Sequence, residues 1–110
     1  MKFEFLGFEI CDKVATITLN RPEVLNAIHP PMANELSQAW KQVRDDEDIW
    51  MAVLTGSGER AFSAGSDLKW RSAQGEGVRD HNRREVLDLT KEGFQRGRDN
   101  WKPLIAAVNG

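Results

Sequence analysis

Between residues 14 and 19 the chain alternates, placing Ala15, Ile17 and Leu19 on one face of a strand and Val14, Thr16 and Thr18 on the other. Residues 3–10 are also strand-like, and the turn signal Cys11-Asp12-Lys13 joins the two segments, so the pattern predicts a β-hairpin. Asn20-Arg21-Pro22 breaks the second strand. Pro30 and Pro31 then stand where a first helical turn needs no N–H donors. Beyond them Met32, Leu36, Ala39, Trp40 and Val43 recur at helical spacing and predict an amphipathic helix. Its end is marked by Asp45-Asp46-Glu47-Asp48, an acidic run poorly matched to the negative end of a helix dipole, which reads as a solvated turn.

Residues 50–55 form a short continuous apolar run bounded by Gly56-Ser57-Gly58, the pattern of a central parallel strand covered on both faces. A strand, a crossover helix and a second buried strand compose a β-β-α unit of an α/β fold. Residues 75–100 are highly charged, with Val78, Val86, Leu87, Leu89 and Phe94 giving a loose helical stripe interrupted by Gly93 and Gly97. Gln74-Gly75-Glu76-Gly77 reads as a loop feeding that helix. Residues 102–110 read as a third buried strand with Pro103 at its entry. A natural domain seldom stops on a bare apolar strand, so residues 1–110 are expected to be a single truncated core.

Composition narrows the classes. A chain of 110 residues with 40% hydrophobic content suits one small soluble domain. Glu4 and Glu9 interrupt the apolar start, and there is neither a cationic leader nor a cleavage site, so no export signal or membrane span is expected. Fifteen basic and seventeen acidic residues leave a net charge of −2, too balanced to draw the whole chain onto nucleic acid or an anionic membrane. The single cysteine, Cys11, cannot close an internal disulfide, which fits a reducing, cytoplasmic compartment. With only His29 and His81, far apart in sequence, no metal site is expected.

The chemistry concentrates at residues 61–69. Taken alone, they read as a strand exit, a glycine turn at Gly65, an Asp67 cap and a helix start, where free N–H groups face an anion or a polarised oxygen. Such a turn is more often a plain connection.

Three segments together resemble the crotonase superfamily of enoyl-CoA hydratases and isomerases. They are Asn20-Arg21-Pro22-Glu23-Val24-Leu25-Asn26-Ala27; Leu54-Thr55-Gly56 followed by Ala61-Phe62-Ser63-Ala64-Gly65-Ser66-Asp67-Leu68-Lys69; and Lys102-Pro103-Leu104-Ile105-Ala106-Ala107-Val108-Asn109-Gly110. Their order and spacing match the family's N-terminal part. The resemblance implies the N-terminal half of a crotonase-like β-β-α spiral, the ClpP/crotonase type of α/β fold. It also implies a thioester whose carbonyl oxygen receives two backbone N–H groups that stabilise an enolate.

On this resemblance the Ser66 N–H is the first oxyanion donor, and Gly65 supplies a turn free of Cβ. The Ala64 carbonyl meets the adenine amino group of coenzyme A, and Asp67 caps the short helix beginning there. Coenzyme-A contacts are carried over to Glu23, Val24, Leu25, Ala64, Gly65, Ser66, Asp67 and Leu68. Coenzyme A is expected as part of the substrate, with no prosthetic group and no metal. The second oxyanion donor and the paired carboxylates are expected beyond Gly110. Acyl-CoA is the expected partner, and a homotrimer or hexamer the expected assembly of the whole protein.

Several side chains carry two readings. Arg21 either adds charge near the ligand or is a solvated loop residue, and in that second reading Asn26 ties the turn to its neighbour through side-chain hydrogen bonds. Lys69 either meets a CoA phosphate or is an exposed helix-start lysine. His29 occupies a position where relatives often carry a small capping residue, which puts the cap in question and makes a surface histidine the default. His81 is either a base near the acyl pocket or an unremarkable surface residue. Trp40, Trp50, Trp70 and Trp101 are core or interface anchors, with Trp70 the one placed to border an acyl group. The activity expected of a complete relative is enoyl-CoA hydration, with dehydration of the carnitinyl-CoA type or double-bond isomerisation as alternatives. The fragment is expected to be inactive alone. A noncatalytic CoA-binding or interaction module is the rival reading.

Overall fold

The computed structural model describes residues 2–73 and 101–110. The alternating segment forms strand β2 (Val14–Leu19), with Ala15, Ile17 and Leu19 almost wholly buried. It pairs antiparallel with β1 (Leu6–Cys11), from Leu6 opposite Leu19 to Cys11 opposite Val14. The two-residue turn uses Asp12 and Lys13 at φ 49° and 69°, the double left-handed geometry that matches strand twist. β1 begins at Leu6, later than residue 3. The Glu4 and Phe5 amides are held by the Glu35 carboxylate instead of a strand partner, with Phe5 donating to Oε2 at 2.9 Å.

Helix α1 (Pro30–Asp45) has proline in its first turn and buries Met32, Ala33, Leu36, Ser37, Ala39, Trp40 and Val43 along one stripe. It carries the chain over to β3 (Met51–Gly56), which lies parallel to β2 with Val14 opposite Met51 and Leu19 opposite Gly56. β4 (Leu104–Ala107) adds parallel to β3, giving the strand order β1-β2-β3-β4. The core lies between the sheet and α1, where Leu6, Ile17, Leu19, Met32, Leu36, Trp40, Val43, Ile49 and Ala52 cluster. Each large apolar side chain buried there contributes about 1.5–3 kcal/mol before the cost of ordering it.

Two burial expectations are corrected. β3 is central and parallel, but only Ala52 and Gly56 are buried, while Met51, Val53, Leu54 and Thr55 are half-buried. α1 covers one sheet face, and among the described residues no second layer covers the other. β4 was expected to be buried and is exposed along its length, with Leu104 at 39% and Ile105 at 51%. Among the described residues it is the edge of the sheet, so its apolar residues have a described neighbouring strand on one side alone.

The acidic end of α1 has a partner that the local pattern does not announce. Lys102 is buried, and its Nζ donates to the main-chain carbonyls of Val43 and Asp46 at 2.6 Å each. A cation here satisfies last-turn carbonyls and complements the helix dipole. The lysine just before β4 thus docks that strand's start onto α1. The helical stripe and loop expected within residues 74–100, with His81, lie outside the described residues. No helix among the described residues is long and apolar enough to cross a membrane.

Candidate functional site

Because β2 and β3 are parallel and in register, their carboxyl ends open at the same side of the sheet. Ligands of open α/β sheets commonly bind at such an edge. From the end of β2 the chain makes a single 3-10 turn (Pro22–Val24), then passes through Leu25 and Asn26, both at φ 55°. A left-handed leucine is strained by about 1–2 kcal/mol. The next residue supplies the compensating bonds.

Asn26 is fully buried. Its Oδ1 accepts the Arg21 N–H at 2.9 Å, and its Nδ2 donates to the carbonyls of Ser57 and Ala61 at 3.0 Å each. Its own carbonyl accepts the Ser63 hydroxyl at 2.8 Å. One carboxamide therefore fastens the loop after β2 to the loop after β3, as the reading of Asn26 as a tie expects.

Asn109, beyond β4, ties that strand's end to the end of β3 and the loop after it. Its Oδ1 accepts the Gly56 N–H at 3.1 Å, and its Nδ2 donates to the Gly56 and Gly58 carbonyls at 2.9 and 2.8 Å. Close approach completes the clasp. A Cβ on Gly56 would stand 2.4 Å from the Phe62 carbonyl oxygen, and one on Gly110 would stand 2.7 Å from the Ala61 backbone.

Held at both ends, residues 64–67 run parallel to residues 25–28. Ala64 donates its N–H to the Leu25 carbonyl at 2.9 Å, Ile28 donates to the Gly65 carbonyl at 2.7 Å, and Asp67 donates to the Ile28 carbonyl at 3.0 Å. Gly65 takes φ 85°, open space lies where its Cβ would be, and its N–H is received by the Ser63 hydroxyl at 3.1 Å.

These bonds determine where the Ser66 amide points. The peptide joining Gly65 to Ser66 is trans, so its N–H lies opposite its carbonyl, and that carbonyl faces Ile28. The Ser66 N–H is therefore aimed away from residues 25–28. It has no acceptor among the described residues, and Ser66 is exposed. The Ala64 carbonyl likewise has no donor among the described residues.

Asp67 follows immediately and is buried. Its Oδ1 accepts the Trp70 N–H at 2.9 Å, capping helix α2 (Leu68–Ala73) as the sequence reading expects. Its Oδ2 pairs with Arg21 Nη1 at 3.0 Å, and the same Nη1 donates to the Ala27 carbonyl at 2.7 Å. The reading of Arg21 as a solvated loop residue is thereby corrected, since the guanidinium is mostly buried and paired with Asp67. Burial alone would raise the Asp67 carboxyl, but the Trp70 amide and the Arg21 guanidinium outweigh it and hold it below the ordinary carboxylate value.

His29 is a further correction. It is buried instead of superficial, its ring packs edge-on against Phe5, and its Nδ1 accepts the Met32 N–H at 3.3 Å. The cap persists in imidazole form. Burial first, and the Arg21 charge next, lower its pKa below 6.5 and keep the ring neutral, as an accepting Nδ1 requires.

The remaining candidate residues sit around this frame. Glu23 is exposed and Val24 and Leu25 half-buried; Ala64, Gly65 and Leu68 are exposed, as is Lys69, and Trp70 is half-buried. Sequence reasoning missed the roles of Asn109 and Lys102. A cavity of about 400 Å³ lined by Ile49, Trp50, Trp101 and Lys102 lies at the amino ends of β3 and β4, away from Ser66. Among the described residues, no cluster of three or more His, Cys, Asp or Glu side chains is arranged to hold a metal ion.

The fold is shared with known enzymes. The sequence profile of the enoyl-CoA hydratase/isomerase family matches residues 9–110, and the chain belongs to that family, within the crotonase superfamily. It is 38% identical over 102 residues to the (E)-benzylidenesuccinyl-CoA hydratase of Thauera aromatica, covering 93% of this chain and 38% of that protein. Among solved structures, an enoyl-CoA hydratase/isomerase from Xanthobacter autotrophicus Py2 superposes at a TM-score of 0.88 with 34% identity. That match covers 99% of this chain and 40% of the other. An enoyl-CoA hydratase from Bacillus anthracis gives the same TM-score at 28% identity, covering 97% and 40%. The crotonase-type α/β fold is thus established, and the chain spans about two fifths of the length of these relatives.

Proposed function

We propose that the protein carrying this chain acts on an acyl-CoA thioester, as an enoyl-CoA hydratase or isomerase, with the Ser66 N–H as one donor to the thioester oxygen. The observation that carries this reading is the Ser66 amide itself, exposed, without an acceptor among the described residues, and aimed outward by the trans peptide whose carbonyl Ile28 holds. A fixed N–H stabilises charge as it develops on the oxygen when the α-carbon gains or loses a proton, with no reorganisation at that moment. The Ala64 carbonyl, without a donor among the described residues, is offered to the adenine amino group, and the backbone of residues 23–25 to the rest of the coenzyme-A portion. Coenzyme A enters as part of the substrate.

In this reading the second N–H and the acid and base come from sequence outside these 110 residues, so the 110-residue chain alone is inactive. The whole protein is a cytoplasmic homotrimer or hexamer. The relative from Thauera aromatica is named as a hydratase of a CoA thioester, which favours hydration over isomerisation here. The test is turnover of a short enoyl-CoA by the whole protein bearing Ser66→Pro or Ser66→Ala. Proline removes the N–H and should lower kcat by about 10²–10³-fold, whereas alanine keeps it and should change kcat little. Equal damage from both would show that the hydroxyl, not the amide, is what matters.

A further inference from the structure

Arg21 and Asp67 lie 46 residues apart in sequence, yet they meet beside the amide on which the proposed function depends. We propose that Arg21 is a positioning residue for the Ser66 N–H, acting through Asp67; this rests on the reading of Ser66 as an oxyanion donor. The geometry has three links. Arg21 is anchored at its own backbone, its N–H given to Asn26 Oδ1 and its carbonyl receiving the Val24 and Asn26 amides. Its Nη1 then bonds the Ala27 carbonyl and Asp67 Oδ2 together, bracketing the strand of residues 27–28 and the turn of residues 65–67 with one atom. Asp67 transmits the restraint, because its N–H holds Ile28 while its other carboxylate oxygen holds the first turn of α2 through Trp70.

Ser66 therefore sits between two peptides that cannot rotate independently. On its amino side the Gly65 carbonyl is held by Ile28, and on its carboxyl side the Asp67 amide and carboxylate are both engaged. Nothing among the described residues bonds the Ser66 amide directly, so its aim is inherited from these neighbours. Without the guanidinium the Asp67 carboxylate loses its only cationic hydrogen-bond partner among the described residues, and the turn is free to tilt. The expected consequence is selective: contact with the thioester oxygen weakens while contacts to the nucleotide and pantetheine persist.

The test compares the binding of acetyl-CoA with that of S-ethyl-CoA, a thioether without the carbonyl oxygen, to wild-type protein and to Arg21→Met. Wild type should prefer acetyl-CoA, and Arg21→Met should reduce that preference by about fivefold, the worth of one net hydrogen bond, with its affinity for the thioether unchanged. Equal weakening of both probes, or a preference retained in Arg21→Met, would overturn the positioning role. A wild-type protein that binds both probes equally would instead overturn the reading of Ser66 as donor, and this proposal with it. If circular dichroism shows Arg21→Met unfolded, Arg21→Lys decides. Its ammonium keeps the charge but loses the planar fork, so the preference should fall to an intermediate value, and an unchanged preference overturns the proposal.

Discussion

His29 Nδ1 accepts the main-chain N–H of Met32, so the side chain that starts α1 works as a cap only while that nitrogen carries no proton. Burial and the neighbouring Arg21 charge lower the histidine's pKa in the folded state, while Asp67 and Glu4 oppose them. The unfolded chain therefore takes up this proton first as the solution is acidified. The stabilisation is complete above pH 6.5 and declines as pH falls from 6.5 toward the lower folded value. The slope for one proton is at most about 1.4 kcal/mol per pH unit. Asp67 adds a separate window at lower pH, because its depressed pKa stabilises the fold above 3.8 and that contribution is lost below it. Chemical denaturation from neutral to acid pH should show both declines. His29→Asn, which keeps an acceptor at the cap, should abolish the first and leave the second.

Asn26→Ala should be among the most damaging single changes in the chain. It removes the donor to two carbonyls and the acceptor of the Arg21 amide, and it leaves alanine at φ 55°. Some of the freed groups will reach water, so the expected loss is about 3–5 kcal/mol. Asn26→Asp should also destabilise, because a carboxylate oxygen would face the Ser57 and Ala61 carbonyls where Nδ2 now donates. Urea unfolding of both variants checks this, and stability within about 1 kcal/mol of wild type would show that water replaces the clasp.

Gly56 and the turn glycine Gly65 should separate by mechanism. Gly65→Ala meets open space and suffers only the left-handed backbone penalty, about 1–2 kcal/mol. Gly56→Ala places its Cβ against the Phe62 backbone, which cannot move without disturbing the loop that leads to Ser66, so about 2–4 kcal/mol is expected. Thermal unfolding should rank Gly56→Ala as the worse change. The opposite ranking would mean that the loop after β3 yields more easily than its hydrogen bonds imply.

The elements that could be read from sequence are those whose physics is local. The two-residue period of β2 and the three-to-four-residue spacing of Met32, Leu36, Ala39, Trp40 and Val43 each report a face, and the structure buries the Ala15, Ile17 and Leu19 face and the helix stripe. The exposure of β4 was not legible, because an apolar run states what a strand would bury and not what lies beside it. At the site, the glycine turn and the Asp67 cap are local and were read correctly, whereas Arg21 joins Asp67 across 46 residues with no periodic signal to announce it. His29 was misread for a different reason. Histidine is not among the preferred N-cap residues, yet a buried neutral imidazole offers the same acceptor.

Lys102→Met should test how far one buried ammonium holds the sheet edge to the helix. The substitution keeps an unbranched apolar stem in the buried position but removes the donor to the Val43 and Asp46 carbonyls, leaving the acidic end of α1 without that charge. Hydrogen bonds from a charged donor are worth about 1.5–3 kcal/mol each, and solvation of the frayed helix end returns part of that, so a net loss of about 2–3 kcal/mol is expected. The loss should be local in character. Amide hydrogen exchange should quicken in the last turn of α1 and along β4, which begins two residues after Lys102, while β2 keeps its protection. If exchange quickens uniformly through β2 as well, Lys102 contributes to global stability and not to docking β4 on α1.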